Sequence, residues 1–453
     1  MPEALEQDYS QTQLHEVTKA LSSGMFVHVR RMLAHMPPCD IALLLESSPH
    51  KSRTVLWQLV DPDLQGETLE ELSEDVRNGI IAQMDPALIA AATEEMDDDD
   101  LAEVLRSLPD TVYQEVLGSM DKTDQERATF VLSYEEETAG ALMSTDTITI
   151  RPDVTLDVVL RYLRLKGELP EGTDELYVVD KENKFLGDIQ LATLLTKSPL
   201  LTVREVMDNE SEAIPVSMGE SEVAQLFERH NWISAPVVDE DSQLLGRITI
   251  DDIVDVIREE AEHSMMSMAG LDDEEDTFAP VVKSTKRRSV WLGVNLITAI
   301  LAAFVAGFFE STLGILPILA VLNGIVPSMG GIAGSQTLTL VIRGMAVGHI
   351  NDANQRWLIG KEIAIGMLNG VIWAVLIASV VALWQWDFTL GLVIAFAMFM
   401  NLFAAGCAGV TIPLILKKLD IDPALAGGVI LTTVTDVVGI FAFLGTATYF
   451  LLP

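Results

Sequence analysis

Five long stretches without a charged side chain constrain the last third of this 453-residue chain more than any other feature. The stretches are 290–309, 311–342, 363–386, 388–416 and, with one interruption, 423–453. Each reaches or exceeds the roughly 20 residues that a helix needs to cross a bilayer. Buried helices of a large soluble core rarely run this long without charge. The sequence therefore predicts a membrane domain of five transmembrane helices, at residues 286–453.

The charge of the chain is divided very unequally between its two parts. Of the 67 acidic and 29 basic residues, 60 acidic and 20 basic ones precede Lys283, so the front part carries about −40 and the rear part about +2. Such an acidic surface argues against nucleic acid or anionic lipid as a partner of the front part and favours binding of cations.

The basic residues also predict an orientation in the bilayer. They cluster before the first span, between the second and third, and between the fourth and fifth, whereas the other loops contain no Lys or Arg. By the positive-inside rule, we expect a multi-pass protein of the cell (inner) membrane with a cytoplasmic amino terminus and a carboxyl terminus outside.

Residues 1–135 show the spacing of short, stacked helices. Turn-forming residues recur about every twelve positions and enclose amphipathic stretches such as IALLLESS and DLAEVLRSL. This pattern predicts a cytoplasmic all-α solenoid, because a helix pair cannot bury its apolar face alone. An irregular helical bundle is the alternative.

Residues 136–257 contain an internal repeat with α+β character. Val178-Val179-Asp180 and Leu186-Gly187 recur 59 residues later as Val237-Val238-Asp239 and Leu245-Gly246. Both copies resemble tandem CBS domains, a family that commonly binds nucleotides or ions.

The resemblance to CBS domains implies at most one nucleotide site. A Thr and an Asp that often hold a ribose in that family are matched by Thr249 and Asp252 in the second copy, whereas the first copy has Gln190 and Thr193. The alternative is that Asp252 serves only to start a helix.

An acidic helix and linker, assigned to 258–285, connect the repeat to the first span. Asp252, Asp255 and Glu259 follow one another at helical spacings of three and four residues, so like charges repel on one face. Hard divalent cations relieve such repulsion, and the acidic run 97–100 offers an opposing surface. The competing interpretation is a solvated acidic face followed by a disordered linker at 272–276.

A single carboxylate interrupts the fifth span. Asp436 lies thirteen residues past Pro423, about 20 Å along a helix, where an ionisable group marks a functional site by default. Thr432 lies one turn earlier on the same face. Asp422 is a further candidate, although it also fits a helix cap before Pro423.

Glycine and proline are concentrated in the second span, VPSMGGIAGSQ. This composition indicates either a broken helix that lines a cavity or close packing through small residues, and the sequence leaves both open.

The order of these segments, with PSMGGIAGSQ in the second span and DPALAGGVILTTVTD in the fifth, resembles the MgtE-type magnesium channel family over essentially the whole chain. The resemblance implies a homodimer with a pore between two membrane domains, in which Asp436, supported by Thr432 and Asp422, holds a hydrated Mg²⁺. It also implies closure by cytoplasmic Mg²⁺ bound at Asp252, Asp255 and Glu260, with Asp99 and Glu228 as weaker candidates. ATP or another adenine nucleotide at the CBS pair is a further implied ligand.

Two departures from the family pattern bear on cation selectivity. Ile332 and Gly428 stand where relatives commonly carry Asn. Two other functions therefore stay open: an ion-coupled secondary transporter of Co²⁺ or a similar divalent cation, and a membrane-anchored CBS nucleotide sensor. An enzyme is not expected, because the chain has no Walker loop and its seven His residues are scattered.

Overall fold

A computed structural model describes residues 16–452 apart from 95, 97, 121, 171, 272–275, 352 and 420. The chain forms two compact units. The first comprises residues up to 260 together with 274–280, and the second comprises 261–273 together with 281–453.

The first unit begins with a series of short helices. They are α1 (Phe26–Leu33), α2 (Pro38–Glu46), α3 (His50–Trp57), α4 (Gln65–Glu70), α5 (Glu74–Ile81), α6 (Pro86–Ala92), α7 (Asp98–Arg106), α8 (Asp110–Ser119) and α9 (Lys122–Val131). Prolines at the first helical position start α2 and α6, where the missing N–H costs no hydrogen bond. One apolar core runs from Val17 to Ala128 through these helices. The all-α prediction for this part is confirmed.

The two repeat copies fold into two small sheets of the same topology. Their elements are α10 (Ala139–Leu142), β1 (Thr149–Ile150), α11 (Leu156–Lys166), β2 (Glu175–Val179), β3 (Phe185–Gln190), α12 (Leu191–Thr196), α13 (Val203–Val206), β4 (Ile214–Pro215), α14 (Glu220–His230), β5 (Ser234–Val238) and β6 (Leu244–Thr249). In each sheet the first strand pairs parallel with the second, and the second pairs antiparallel with the third. Val178 pairs with Gly187 and Val237 with Gly246, so the 59-residue offset is also the structural offset. The tandem CBS fold is confirmed.

A long helix, α15 (Ile250–Met268), follows the second sheet and extends from the first unit into the second. The membrane helices are α16 (Val281–Gly307), α17 (Glu310–Ile315), α18 (Ile318–Leu322), α19 (Ile325–Ala346), α20 (Gln355–Gln385), α21 (Phe388–Lys418) and α22 (Pro423–Leu451). Five segments within the described residues are long and apolar enough to cross a membrane, the second of them being α18 with α19. The five predicted spans are confirmed.

The second span is interrupted at Pro317 and at Asn323–Gly324, before the glycine-rich motif. Pro327 lies in the first turn of α19, where a helix has unpaired N–H groups anyway, and the helix continues through the glycines. A Cβ on Gly330 would lie 2.1 Å from Asn401 Nδ2, and one on Gly334 would lie 2.8 Å from Leu431 Cδ1. These glycines therefore provide close packing of α19 against α21 and α22.

Candidate cation sites

Asp436 lies halfway along α22, which begins at Pro423 as the sequence predicts. Its side chain is half-buried. No described residue makes a hydrogen bond or an ion pair with its carboxylate. An ionised carboxylate at this depth is costly unless it meets water, an ion or another polar group.

Several exposed positions of the membrane helices α19 and α22 carry polar side chains. Thr432 is exposed, and its hydroxyl donates to the carbonyl of Gly428 at 2.8 Å. On α19, Ser328, Ser335 and Gln336 border an open groove together with Ile332. Ile332 is 56% exposed there, and a Cβ on Gly428 would meet open space. Both positions that depart from the family pattern therefore lie on surfaces rather than in the helix core.

Asp422 caps α22. Its carboxylate accepts from the N–H groups of Ala424 at 2.8 Å and Leu425 at 3.0 Å. The same carboxylate lies 3.3 Å from His263 Nε2 of α15, within the second unit. The helix-cap role that the sequence offered for Asp422 is thus present.

Two buried polar side chains of the membrane unit were missed by the sequence analysis. Glu362 of α20 is only 2% exposed, accepts from Thr337 Oγ1 at 3.2 Å and lies 3.1 Å from Lys361 Nζ. Asn401 of α21 is fully buried and donates to the carbonyl of Val326 at 2.7 Å. Glu362 was overlooked because it directly precedes a charge-free run and was taken as the edge of the span.

The carboxylates predicted to bind regulatory Mg²⁺ are here called the acidic gate. One of them, Asp252, lies in the first unit near Asp100, at the start of α7. Burial first, and then the nearby carboxylates of Glu70, Glu103 and Asp252, raise the pKa of Asp100 to about 8, against the lowering effect of Arg77. Arg77 is buried and forms an ion pair with Glu103. Asp252 is therefore brought close to the acidic run, as the sequence predicts.

A second group of carboxylates follows along α15. Partial burial and the neighbours Glu103, Asp255 and Glu220 raise the pKa of Glu259 to about 7. The side chain of Glu259 is more exposed to solvent than that of Asp100. Glu260 accepts from Ser221 Oγ at 3.1 Å.

The remaining gate candidates are placed as follows. Asp255 is exposed and forms an ion pair with Arg258 at 3.2 Å. Glu228 is exposed on α14. On the same helix it is Glu220 that faces the acidic group. The side chain of Asp99 lies outside the described residues. Asp100 belongs to the run 97–100 that the sequence offers as an opposing surface. Glu103 and Glu220 were not chosen from the sequence, because their proximity to α15 depends on packing between distant segments.

The acidic group is not a preformed metal cage. Among the described residues, no three His, Cys, Asp or Glu side chains are arranged to hold a metal ion directly. This geometry is compatible with Mg²⁺, which keeps several of its waters and often binds through one or two carboxylates.

Thr249 and Asp252, the predicted nucleotide contacts, hold each other at the junction of β6 and α15. Asp252 Oδ2 accepts from the Thr249 N–H at 3.1 Å and from its hydroxyl at 2.9 Å. This is the helix-start role that the sequence offered as the alternative. Asp252 also lies near Asp100 and raises its pKa. A nucleotide and a cation would therefore bind the same carboxylate.

Five membrane spans joined to a helical solenoid and a CBS pair define a multi-pass membrane protein with large acidic soluble domains. The family model described as "Divalent cation transporter" matches residues 323–446, the "MgtE intracellular N domain" matches 36–137, and the "CBS domain" matches 139–198 and 203–259. The "Magnesium transporter MgtE" of Enterococcus faecalis is 32% identical over 321 residues, 71% of each chain. The chain belongs to the MgtE family of magnesium transporters.

Two further relatives extend the similarity over both parts of the chain. The "Magnesium transporter MgtE" of Bacillus subtilis is 28% identical over 433 residues, covering 95% of this chain and 96% of that one. The crystal structure of the cytosolic domain of the Mg²⁺ channel MgtE in complex with ATP is 28% identical. It covers 54% of this chain and 99% of that chain, with a TM-score of 0.50.

Proposed function

We propose that this protein is a channel-type transporter that takes up Mg²⁺ across the cell membrane. The observation that carries the proposal is Asp436, a half-buried carboxylate in the middle of a membrane helix without a partner among the described residues. A hydrated Mg²⁺ would supply both the missing charge and, through its waters, the missing hydrogen bonds. The relatives named as magnesium transporters favour this ion over Co²⁺.

The proposed pore is formed by two copies of the chain. Thr432 of α22 and Ser328, Ser335 and Gln336 of α19 are exposed at membrane-spanning positions, where lipid offers no hydrogen bonds. A second copy placed against this face would cover the polar surface and bring two Asp436 side chains together. Asp422 then contributes as the cap that fixes the cytoplasmic end of α22.

We further propose that internal Mg²⁺ closes the pore. Asp100, Glu103 and Asp252 crowd one another in the first unit, and repulsion among them opposes the compact arrangement. A cation that binds better to the compact form shifts the balance toward it by that difference in affinity. Asp252, Asp255, Glu260 and the run containing Asp99 are the proposed ligands, and we extend the set to Asp100.

The proposed division of labour keeps the boundaries predicted from the sequence. Residues 1–135 and 136–257 sense Mg²⁺ in the cytoplasm, 258–285 connect them to the membrane, and 286–453 conduct, with the carboxyl terminus outside. ATP binding at Thr249 and Asp252 is supported by the relative solved with ATP. Thr249→Val is expected to weaken nucleotide binding and also to loosen Asp252 of the acidic group, because the Thr249 hydroxyl donates to that carboxylate.

The decisive experiment measures Mg²⁺ uptake into proteoliposomes with the wild type and Asp436→Asn. We expect flux to fall about tenfold or more, since each tenfold loss corresponds to about 1.4 kcal/mol of added barrier. Glu310→Gln is the matched control, because Glu310 is an exposed acid at the end of a membrane segment.

Each alternative predicts a different result in the same assay. Normal flux in Asp436→Asn would exclude the proposed pore. Uptake that requires a proton or sodium gradient would indicate a coupled transporter, and nucleotide binding without any flux would indicate a sensor. Loss of inhibition by internal Mg²⁺ in Asp252→Asn, with flux retained, would support the gate.

A further inference from the structure

The short segment before the first membrane helix is bound to the helical solenoid. Asp276 forms a bidentate ion pair with Arg53 of α3. Arg53 Nη1 lies 2.8 Å from Asp276 Oδ2, and Arg53 Nη2 lies 3.2 Å from Asp276 Oδ1. The two side chains are only 5% and 7% exposed. The two residues are 223 positions apart, and both belong to the first unit.

The guanidinium of Arg53 is held in position by the solenoid itself. Its Nε donates to the carbonyl of Leu45 at 2.9 Å, and its Nη2 donates to the carbonyl of Ser48 at 3.2 Å, at the end of α2. A planar fork oriented in this way binds a carboxylate with both oxygens, which a lysine cannot do. Arg53 is therefore a preformed receptor for one acidic side chain.

Asp276 in turn orders the segment that follows it. Its Oδ1 also accepts from the N–H of Phe278 at 2.8 Å, and the N–H of Ala279 donates to its backbone carbonyl at 3.0 Å. The first membrane helix, α16, starts at Val281, only five residues later. Five residues span at most about 17 Å, so little slack separates the ion pair from the membrane helix.

We propose that the Arg53–Asp276 pair is a clamp through which the solenoid acts directly on the first membrane helix, by a route separate from α15. The regulatory part of this proposal rests on closure by internal Mg²⁺. When Mg²⁺ draws the solenoid toward the CBS pair, the clamp makes the start of α16 follow. Residues 276–280 are thus a mechanical connection rather than a passive spacer.

The ordinary explanation is that the pair only adds stability to the solenoid. A buried pair is a weak stabiliser compared with well-packed apolar side chains, because both charges lose their hydration. Asp276, however, lies only five residues before a membrane helix. The pair therefore also couples motion of the solenoid to that helix, which a purely stabilising role would not require.

The test uses the full chain in nanodiscs and in proteoliposomes, with Asp276→Asn and Arg53→Lys. Asparagine keeps an acceptor for Phe278, and lysine keeps the charge of Arg53, so both variants are expected to fold. Asp153→Asn is the matched control, because it disrupts an Asp–Arg pair of the same unit that is 80% and 61% exposed. Thermal unfolding verifies that all four proteins are folded.

Hydrogen exchange is the first measurement. We expect the amides of 276–279 and of the first turns of α16 to exchange faster in both test variants and to be unchanged in Asp153→Asn. Unchanged exchange at the start of α16 would overturn the clamp, whatever the transport result.

Inhibition by internal Mg²⁺ is the second measurement. The concentration that halves the flux should rise about fivefold or more in the test variants, a typical size for coupling between sites. Flux at the lowest internal Mg²⁺ should stay unchanged.

An unshifted inhibition curve together with faster exchange would show that the clamp does not regulate and would overturn the proposal. A wild type insensitive to internal Mg²⁺ would instead refute the feedback mechanism, and the exchange at α16 would still decide whether the clamp couples the solenoid to the membrane helix.

Discussion

Glu175, at the start of β2, is a carboxyl enclosed among other acids in the CBS pair. Burial is the main cause that raises the pKa of Glu175 to about 8, and the carboxylates of Asp188 and Asp174 add to it, whereas a hydrogen bond with Ser234 lowers it. The Ser234 hydroxyl also donates to Asp174 Oδ1 at 2.6 Å. Glu175 therefore stays protonated in the folded protein at pH values where an unfolded chain would release the proton.

This difference makes the stability of the CBS pair fall as the pH rises. Between about pH 4.5 and pH 8 the folded state holds a proton at Glu175 that the unfolded state lacks, so the free energy of unfolding decreases through this window. We expect Glu175→Gln to remove most of this dependence and to raise stability at pH 8, because glutamine has no charge to bury at any pH.

Thermal unfolding of the detergent-solubilised chain at pH 5.5, 7 and 8.5 would measure the effect of Glu175→Gln. Glu182→Gln is the control, because Glu182 is an exposed acid in the turn after β2. Equal pH dependence in the wild type and in Glu175→Gln would contradict the assignment.

At the level of helices, two adjacent glycines of α19 have opposite surroundings. A Cβ on Gly330 would collide with the Asn401 amide, whereas one on Gly331 would meet only Thr435 Oγ1 at 4.0 Å. Asn401 is held by its bond to the Val326 carbonyl and cannot withdraw without losing it. Gly330 thus sets the distance between α19 and α21.

We predict that Gly330→Ala destabilises the membrane unit by about 1–3 kcal/mol, the usual cost of inserting a methyl group into a packed core. It should also lower transport, because α19 borders the proposed pore. Gly331→Ala is the built-in control for thermal stability and should be close to neutral there. A similar loss of thermal stability in the two variants would contradict the tighter packing at Gly330.

The sequence predicts a helix or strand of this fold well where the pattern that indicates it lies within one continuous segment. Charge-free length gave the five spans, and the 59-residue repeat gave two sheets of the same register. The position of the break in the second span was not readable, because Pro327 is compatible with either a break or a first turn.

Sites that depend on distant packing were predicted only in part. The sequence offers the run 97–100 as a surface opposite Asp252, and Asp100 of that run lies near Asp252, whereas Glu103 was not identified because it comes from another domain. Cation binding by these carboxylates stays a prediction. The Arg53–Asp276 pair could not be found, because nothing local distinguishes Arg53 from a surface arginine. Glu362 was hidden at the edge of a charge-free run, although a buried acid in a span is a strong signal.

At the scale of the whole molecule, some exposed positions of the membrane helices are polar. Most exposed side chains of the spans are large and apolar, as lipid requires, for example Val375 and Leu376 on α20. Thr432 on α22 and Ser335 on α19 are exposed and polar instead, and Asp436 lies one helical turn after Thr432. In the proposed homodimer, a second copy of the chain would cover these polar side chains in the bilayer.

This arrangement leads to a cross-linking prediction for the intact protein. The native thiols Cys39 and Cys407 are first replaced by serine, and Thr432→Cys then places one thiol at this exposed position of α22. A twofold axis brings identical positions near the axis close together, so mild oxidation in native membranes should produce a covalent dimer from Thr432→Cys. Val375→Cys, which is 63% exposed on α20, should remain monomeric because it faces lipid. Equal cross-linking at both positions would mean that the contacts are random collisions, and cross-linking at Val375 alone would place the interface on α20 and move Asp436 away from the pore axis.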